Sequence, residues 1–176
     1  MSRKLDLTPM ELYFLGKSMH AKYIDYHYIA AMPDIQKRHE LLEERTLEAL
    51  TEAGIADEDF SGHVEIEEEA AALLEPVFFG ETEVTVEGSA IVRIHILPDR
   101  ITLCEEADGH LTFREAAEPQ LLKLLQETVQ IRCAKVGTGF YEKTFTGEEL
   151  KHRDQQEKAL RLLKGEIGYE RSENRL

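Results

Sequence analysis

Cys104 and His95 fall on neighbouring predicted strands of this 176-residue chain, on the face opposite Leu103. A thiol beside an imidazole can be activated as a nucleophile. No local signature surrounds either residue and no third group completes a triad, so the pair reads as a contact rather than a catalytic set. Gly137–Thr144 comes nearest to a nucleotide motif. Gly137, Lys143 and Thr144 fall where G-x-x-x-x-G-K-[ST] requires them, but Glu142 stands in place of the second glycine. Its bulk and charge oppose the closure of backbone amides on phosphate, and a plain turn is the better reading. His39-Glu40 opens like a zinc helix, yet Glu43 occupies the position of the second histidine, which leaves a charged outer helix face. Glu65, Glu67, Glu68 and Glu69 lie near His63 without the spacing of a calcium loop. At a helix N-terminus their charge serves the helix dipole. The chain therefore reads as a non-enzyme with no metal or cofactor, and its candidate contact residues are aromatic. Tyr23, Tyr26 and Tyr28, with Arg93 and His95 on the polar sheet face, form the surface expected to bind a partner. Aromatic side chains with a polar tip are enriched in interfaces, although half-buried core positions are their commoner use.

The elements that must position these residues follow from pattern. Thr8-Pro9-Met10-Glu11 is a capping box with proline at the first helical position. Leu12, Leu15 and Met19 continue it at helical spacing. Tyr23–Ile29 fits either a strand or an extension of that helix, and Pro33 ends it by restricting Met32. A long helix is expected from Asp34 to Ala53, closed by Gly54, and a shorter one from Glu65 to Glu75, closed by Pro76. From Val77 to Glu115 the period becomes two, as in an antiparallel meander with one apolar and one polar face. A loop over Leu97–Arg100 sets Ile96 against Ile101 and Ile94 against Leu103. For the next hairpin, a three-residue loop, Ala107-Asp108-Gly109, would set Leu103 against Phe113 and keep Ile94, Leu103 and Phe113 in one row. Pro119 opens a helix whose apolar face is Leu121, Leu122, Leu125 and Val129, packed on the sheet. Cys133 to Gly139 has no clear assignment. Thr146-Gly147-Glu148-Glu149 is a second capping box, starting a largely polar helix that runs to Lys164. The fold class is α+β: N-terminal helices, an antiparallel meander and C-terminal helices on the sheet. Residues 1–170 form one domain, and 171–176 are expected to be a disordered tail.

Composition narrows the functional classes. With 35 acidic against 21 basic residues the net charge is −14, which repels phosphate backbones and argues against nucleic acid as a partner. Cys104 and Cys133 do not form a C-x-x-C pair and read as reduced thiols. The first residues lack the apolar core of a signal peptide and no apolar run is long enough to span a bilayer, so a cytoplasmic location without membrane insertion is expected.

One family resemblance runs through most of the chain. Leu5–Leu12 reads L-x-L-T-P-x-E-L and leads to a long charged helix, then to Gly54-Ile55-Ala56-Asp57 and a short helix ending in Pro76. The strands Ile94-His95-Ile96, Ile101-Thr102-Leu103 and Leu111-Thr112-Phe113 precede a leucine-rich helix. This order resembles the EspG-type cytosolic chaperones of ESX (type VII) secretion systems and their shorter relatives in Gram-positive bacteria. The resemblance implies a non-enzymatic adaptor that binds a helical secretion substrate and shields its apolar tip, with homodimerisation left open. It carries over no site residue. Tyr169–Glu173 matches the Y-x-x-x-[DE] signal of type VII substrates, but the absence of tryptophan removes the W-x-G turn of the small ones. Two other readings compete. An acidic immunity protein would neutralise a basic toxin, and an enzyme would use Cys104 with His95.

Overall fold

The computed structural model describes residues 3–30, 39–135 and 141–166. Residues 137–140 of the Gly137–Thr144 stretch, the expected helix start at 34–38, Tyr169–Glu173 and the tail 171–176 lie outside the described residues, as do the side chains of His39, Glu40 and Glu142. The architecture is α+β. A first strand, β1 (Lys4–Leu7), leads into α1 (Pro9–Ser18), the single turn α2 (Tyr26–Ile29) and α3, described over His39–Glu52. A small hairpin of β2 (Ala56–Glu58) and β3 (Val64–Ile66) precedes α4 (Glu68–Phe79). The meander follows as β4 (Thr82–Glu87), β5 (Ile91–Leu97), β6 (Arg100–Ala107) and β7 (His110–Glu115). Then come α5 (Glu118–Gln126), β8 (Gln130–Lys135), β9 (Tyr141–Thr146), a 3-10 turn (Glu149–Lys151) and α6 (Arg153–Leu163). Seven strands form one antiparallel sheet in the order β1-β7-β6-β5-β4-β8-β9, and β2-β3 stands apart. Of the unassigned segment Cys133–Gly139, Cys133–Lys135 forms the end of β8, which lies between β4 and β9, and the remainder lies outside the described residues.

The start of α1 is built as the sequence predicts, whereas the helix expected from Glu65 begins only at Glu68, with Glu65 and Ile66 in β3. Thr8 Oγ1 accepts from the Glu11 amide and the Glu11 carboxylate accepts from the Thr8 amide, at 3.2 and 3.3 Å. Gly54 takes φ +70°, the left-handed value that suits glycine after a helix. Glu67 N-caps α4 by accepting from the amides of Glu69 and Ala70, so the acidic run has a structural task. Pro76, however, does not end α4, which continues to Phe79. Proline at this position leaves the Ala72 carbonyl without its helical donor. The Arg100 guanidinium takes that place at 3.2 Å, and Thr102 Oγ1 donates to the neighbouring Leu73 carbonyl at 2.7 Å. Arg100 thus supplies the donor that the helix lacks, and Thr102 adds a second tie between α4 and the sheet.

The second hairpin of the meander also differs from expectation. Ile96–Ile101 and Ile94–Leu103 pair as predicted, around a turn of Pro98 and Asp99. The next turn has two residues, Asp108 and Gly109, at φ +52° and +78°, the paired positive values of a type I′ turn. Leu103 therefore faces Arg114, and Phe113 pairs with Cys104 on the opposite side. The row Ile94-Leu103-Phe113 does not exist because the sheet has two cores. Val84, Val86, Val92, Ile94, Leu103 and Ile131 face α5 and α6. Leu5, Leu7, Cys104, Leu111 and Phe113 face the N-terminal helices. The apolar side changes across β6.

The C-terminal helices cover less than the sequence suggests at one point and more at another. Helix α5 stops at Gln126 with Leu121 buried, while Leu122 and Val129 are exposed. Thr146 Oγ1 accepts from the Glu149 amide at 3.3 Å, but the helix proper begins at Arg153 after the 3-10 turn. Its polar centre faces solvent and it docks through Ala159, Leu162 and Leu163. Phe113 lies at the centre of the N-terminal core. Phe113→Ala is expected to lower unfolding stability by about 3–5 kcal/mol, measured by urea denaturation, and a loss below 1 kcal/mol would contradict the register described.

Candidate functional site: a buried polar cluster beneath the second helix

Helix α2 is one turn long and too short to persist alone. Asp25 caps it by accepting from the His27 amide at 2.9 Å, and Tyr28 fastens it to the sheet. Tyr28 is 1% exposed and its hydroxyl is hydrogen-bonded to Nε2 of His95, itself 2% exposed. The Tyr28 ring meets Phe113 edge-on at 5.9 Å between centroids, and the Arg93 guanidinium lies 5.6 Å from the Tyr28 centroid. Strand pairing brings these groups together: His95 sits opposite Glu83 on β4 and opposite Thr102 on β6, and Arg93 sits opposite Cys104. Arg93 is flanked by two carboxylates, Glu83 at 3.6 Å and Glu106 at 3.7 Å, and its Nε has no hydrogen-bond partner among the described residues.

The electrostatics of this cluster are set by burial. Desolvation, opposed by Asp25 and reinforced by Arg93, pushes His95 down to about 4, so the imidazole is neutral at physiological pH. Burial raises Glu83 to about 9, and the hydrogen bond to Asp25 adds to it. Burial also pulls Asp25 upward, but its hydrogen bonds with Glu83 and the His27 amide outweigh that and hold it below the usual carboxylate range. Asp25 and Glu83 thus share one proton and carry one negative charge beside Arg93. Burial lifts the Cys104 thiol to about 12 and the Tyr28 phenol well above its ordinary value.

Sequence reasoning places Cys104 and His95 on one face of adjacent strands, and they are there. Their chemistry is that of a protonated thiol near a neutral imidazole, both beneath α2, and Cys104 interacts with Tyr28. A thiol held that high supplies almost no thiolate at neutral pH. Of the five candidate contact residues, Tyr28, Arg93 and His95 converge in this interior cluster. Tyr23 and Tyr26, 44% and 69% exposed, stay on the surface of the same segment. Asp25, Glu83 and Glu106 complete the cluster and escaped sequence reasoning. Glu83 reads as one of several acids alternating with valine, and only its register against His95 distinguishes it.

Among the described residues no group of three or more His, Cys, Asp or Glu could hold a metal ion, and no helix is long and apolar enough to cross a membrane. Compared with protein-family models and with curated proteins, the sequence matches none of them.

Two of these shifts act on stability in opposite directions. The folded chain retains a proton on Glu83 that the unfolded chain releases above 4.5, so this contribution is lost as pH rises toward about 9. His95 is neutral when folded but takes up a proton below 6.5 when unfolded, so its contribution is lost as pH falls toward about 4. The urea midpoint is expected to peak between about pH 5 and 7, and Glu83→Gln should flatten the alkaline limb alone. An alkaline limb unchanged in Glu83→Gln would mean that the shared proton is absent. Both cysteines are buried, so a thiol-reactive disulfide reagent at pH 8 should label neither until urea unfolds the protein; rapid labelling of Cys104 in the native state would restore it as a nucleophile.

Proposed function

We propose that this protein is a non-enzymatic cytosolic adaptor that binds a helical protein client associated with type VII secretion. The observation that carries this reading is the α2 segment: Tyr28 is locked into the sheet while Tyr23 and Tyr26 face outward. Anchoring a short segment from below removes most of the entropy that exposed aromatic residues would otherwise lose on binding. Two exposed tyrosines on such a segment have the composition of a contact site. The protonated Cys104 thiol supports a binding role over nucleophilic chemistry. The resemblance of the sequence pattern to EspG-type chaperones supports the secretion assignment.

Native affinity purification with mass spectrometry of the co-eluting proteins identifies the client, and calorimetry with that client tests the surface. A small helical secretion substrate is expected to remain bound at moderate salt. The double variant Tyr23→Ser/Tyr26→Ser should weaken it by at least tenfold, roughly 1.4 kcal/mol, with an unchanged Tm. Retention of a basic toxin instead, or of no specific partner, would refute the reading.

A further inference from the structure

The negative charge of the chain is concentrated in one stretch. Thr46–Val92 holds 13 of the 35 acidic residues and none of the 21 lysines and arginines, while the other 129 residues carry 22 acids against 21 bases. In the fold this stretch is the second half of α3, the β2–β3 hairpin, α4, β4 and the first residues of β5. Cations from elsewhere reach part of it: Arg3 pairs with Glu67 and Glu69, Arg100 with Glu75, Arg93 with Glu83 and Arg132 with Glu87. Among the described residues, no lysine or arginine pairs with the hairpin: Asp57, Glu58 and Glu65 are exposed without an ion-pair partner, and Asp59 has only the nearby His63.

At the tip of that hairpin stands Phe60, with a relative exposure of 113%. The turn is pinned in a way that holds the ring out. Asp59 Oδ1 accepts from the Ser61 amide at 2.8 Å, the Ser61 hydroxyl at 2.6 Å and the His63 amide at 3.0 Å. The Asp59 amide donates to the His63 carbonyl at 2.9 Å, and Gly62 turns the chain at φ +82°. The base is equally fixed, since Ile55 and Ala56 are buried and the Glu67 amide donates to the Ile55 carbonyl at 2.8 Å. A single exposed apolar side chain is ordinary on a protein surface. A fully exposed aromatic ring on a pinned tip, flanked by Asp57, Glu58 and Glu65 with no lysine or arginine paired to them among the described residues, is the complement of an apolar socket with a cationic rim.

We propose that the β2–β3 tip is a docking knob: Phe60 inserts into an apolar socket on a protein partner whose rim is rich in Lys and Arg, and Asp57, Glu58 and Glu65 pair with that rim. The ring sets the lifetime of the complex, and the carboxylates set its association rate and salt dependence. This surface is built from other elements than the Tyr23–Tyr26 segment, so it stands apart from the client reading.

The test uses the full chain with the photo-crosslinker p-benzoylphenylalanine in place of Phe60, irradiated in the source cells, and a control with it in place of Val129, which is exposed in the turn between α5 and β8. A discrete adduct is expected from position 60 and not from 129, with the crosslinked residue among apolar side chains flanked by Lys or Arg. With the captured protein purified, Phe60→Ser should weaken Kd about tenfold or more. The triple variant Asp57→Asn/Glu58→Gln/Glu65→Gln should slow association and flatten its salt dependence. Tm and the affinity that depends on Tyr23 and Tyr26 should be unchanged in both. The proposal is overturned by the absence of an adduct beyond the Val129 control, by an adduct on a surface without flanking cations, or by an unchanged Kd in Phe60→Ser.

Discussion

The strands of the main sheet alternate in polarity, yet helices pack on both of its faces. That constraint organises the rest of the molecule. On β1 and β7 the apolar side chains Leu5, Leu7, Leu111 and Phe113 point toward the N-terminal helices, whereas on β4, β5 and β8 they point toward α5 and α6. The polar residues of β4 and β5 are consequently carried under α2 and α4. Burying Arg93, Glu83 and His95 there would be costly if each stood alone. The cost is offset by neutralising His95, by sharing one proton between Asp25 and Glu83, and by setting the remaining negative charge against Arg93. Tyr28 and Asp25 belong to this solution, and they are what ties the single turn of α2 to the sheet.

Local chemistry made much of this fold legible from sequence. The capping box at Thr8, the glycine after α3 and the period of two through the meander each depend on residues within a few positions of one another. The apolar faces were harder to read because alternation has the same period whichever side is buried. Assigning Phe113 to the row of Leu103 assumes one core, whereas Asp108-Gly109 is a dipeptide favoured in two-residue type I′ turns and fits the observed register. Pro76 misled for a related reason. Its effect on a helix is local, but the compensation by Arg100 and Thr102 comes from a strand about 25 residues further on. The carboxyl pair was beyond reach altogether, since Asp25 and Glu83 meet only once α2 lies on the sheet.

The same arrangement divides the aromatic residues by role. Tyr28 is structural and Tyr23 and Tyr26 are presented, although all three belong to one short stretch that composition alone cannot partition. The β2–β3 hairpin within the acidic stretch repeats the logic with different means. Its base is held by buried Ile55 and Ala56, its tip by the carboxylate of Asp59, and its ring is left in solvent. In both places a rigid foundation supports a small number of exposed aromatic side chains, which is the economical way to build recognition without a large apolar patch.

The pairing of β1 with β7 has a consequence for how the molecule assembles. Lys4 lies against Arg114 and Leu7 against Leu111, so the first strand joins the sheet through residues more than 100 positions away. Contacts of that span close late and slow the folding of a domain. On a ribosome, β1 must wait roughly 5–20 s for the strand with which it pairs at ordinary rates of synthesis. During that interval two leucines and the edge of an unpaired strand are available to other chains. The alternating Lys4 and Asp6 keep that strand charged on its other side, a common safeguard against pairing with the wrong edge.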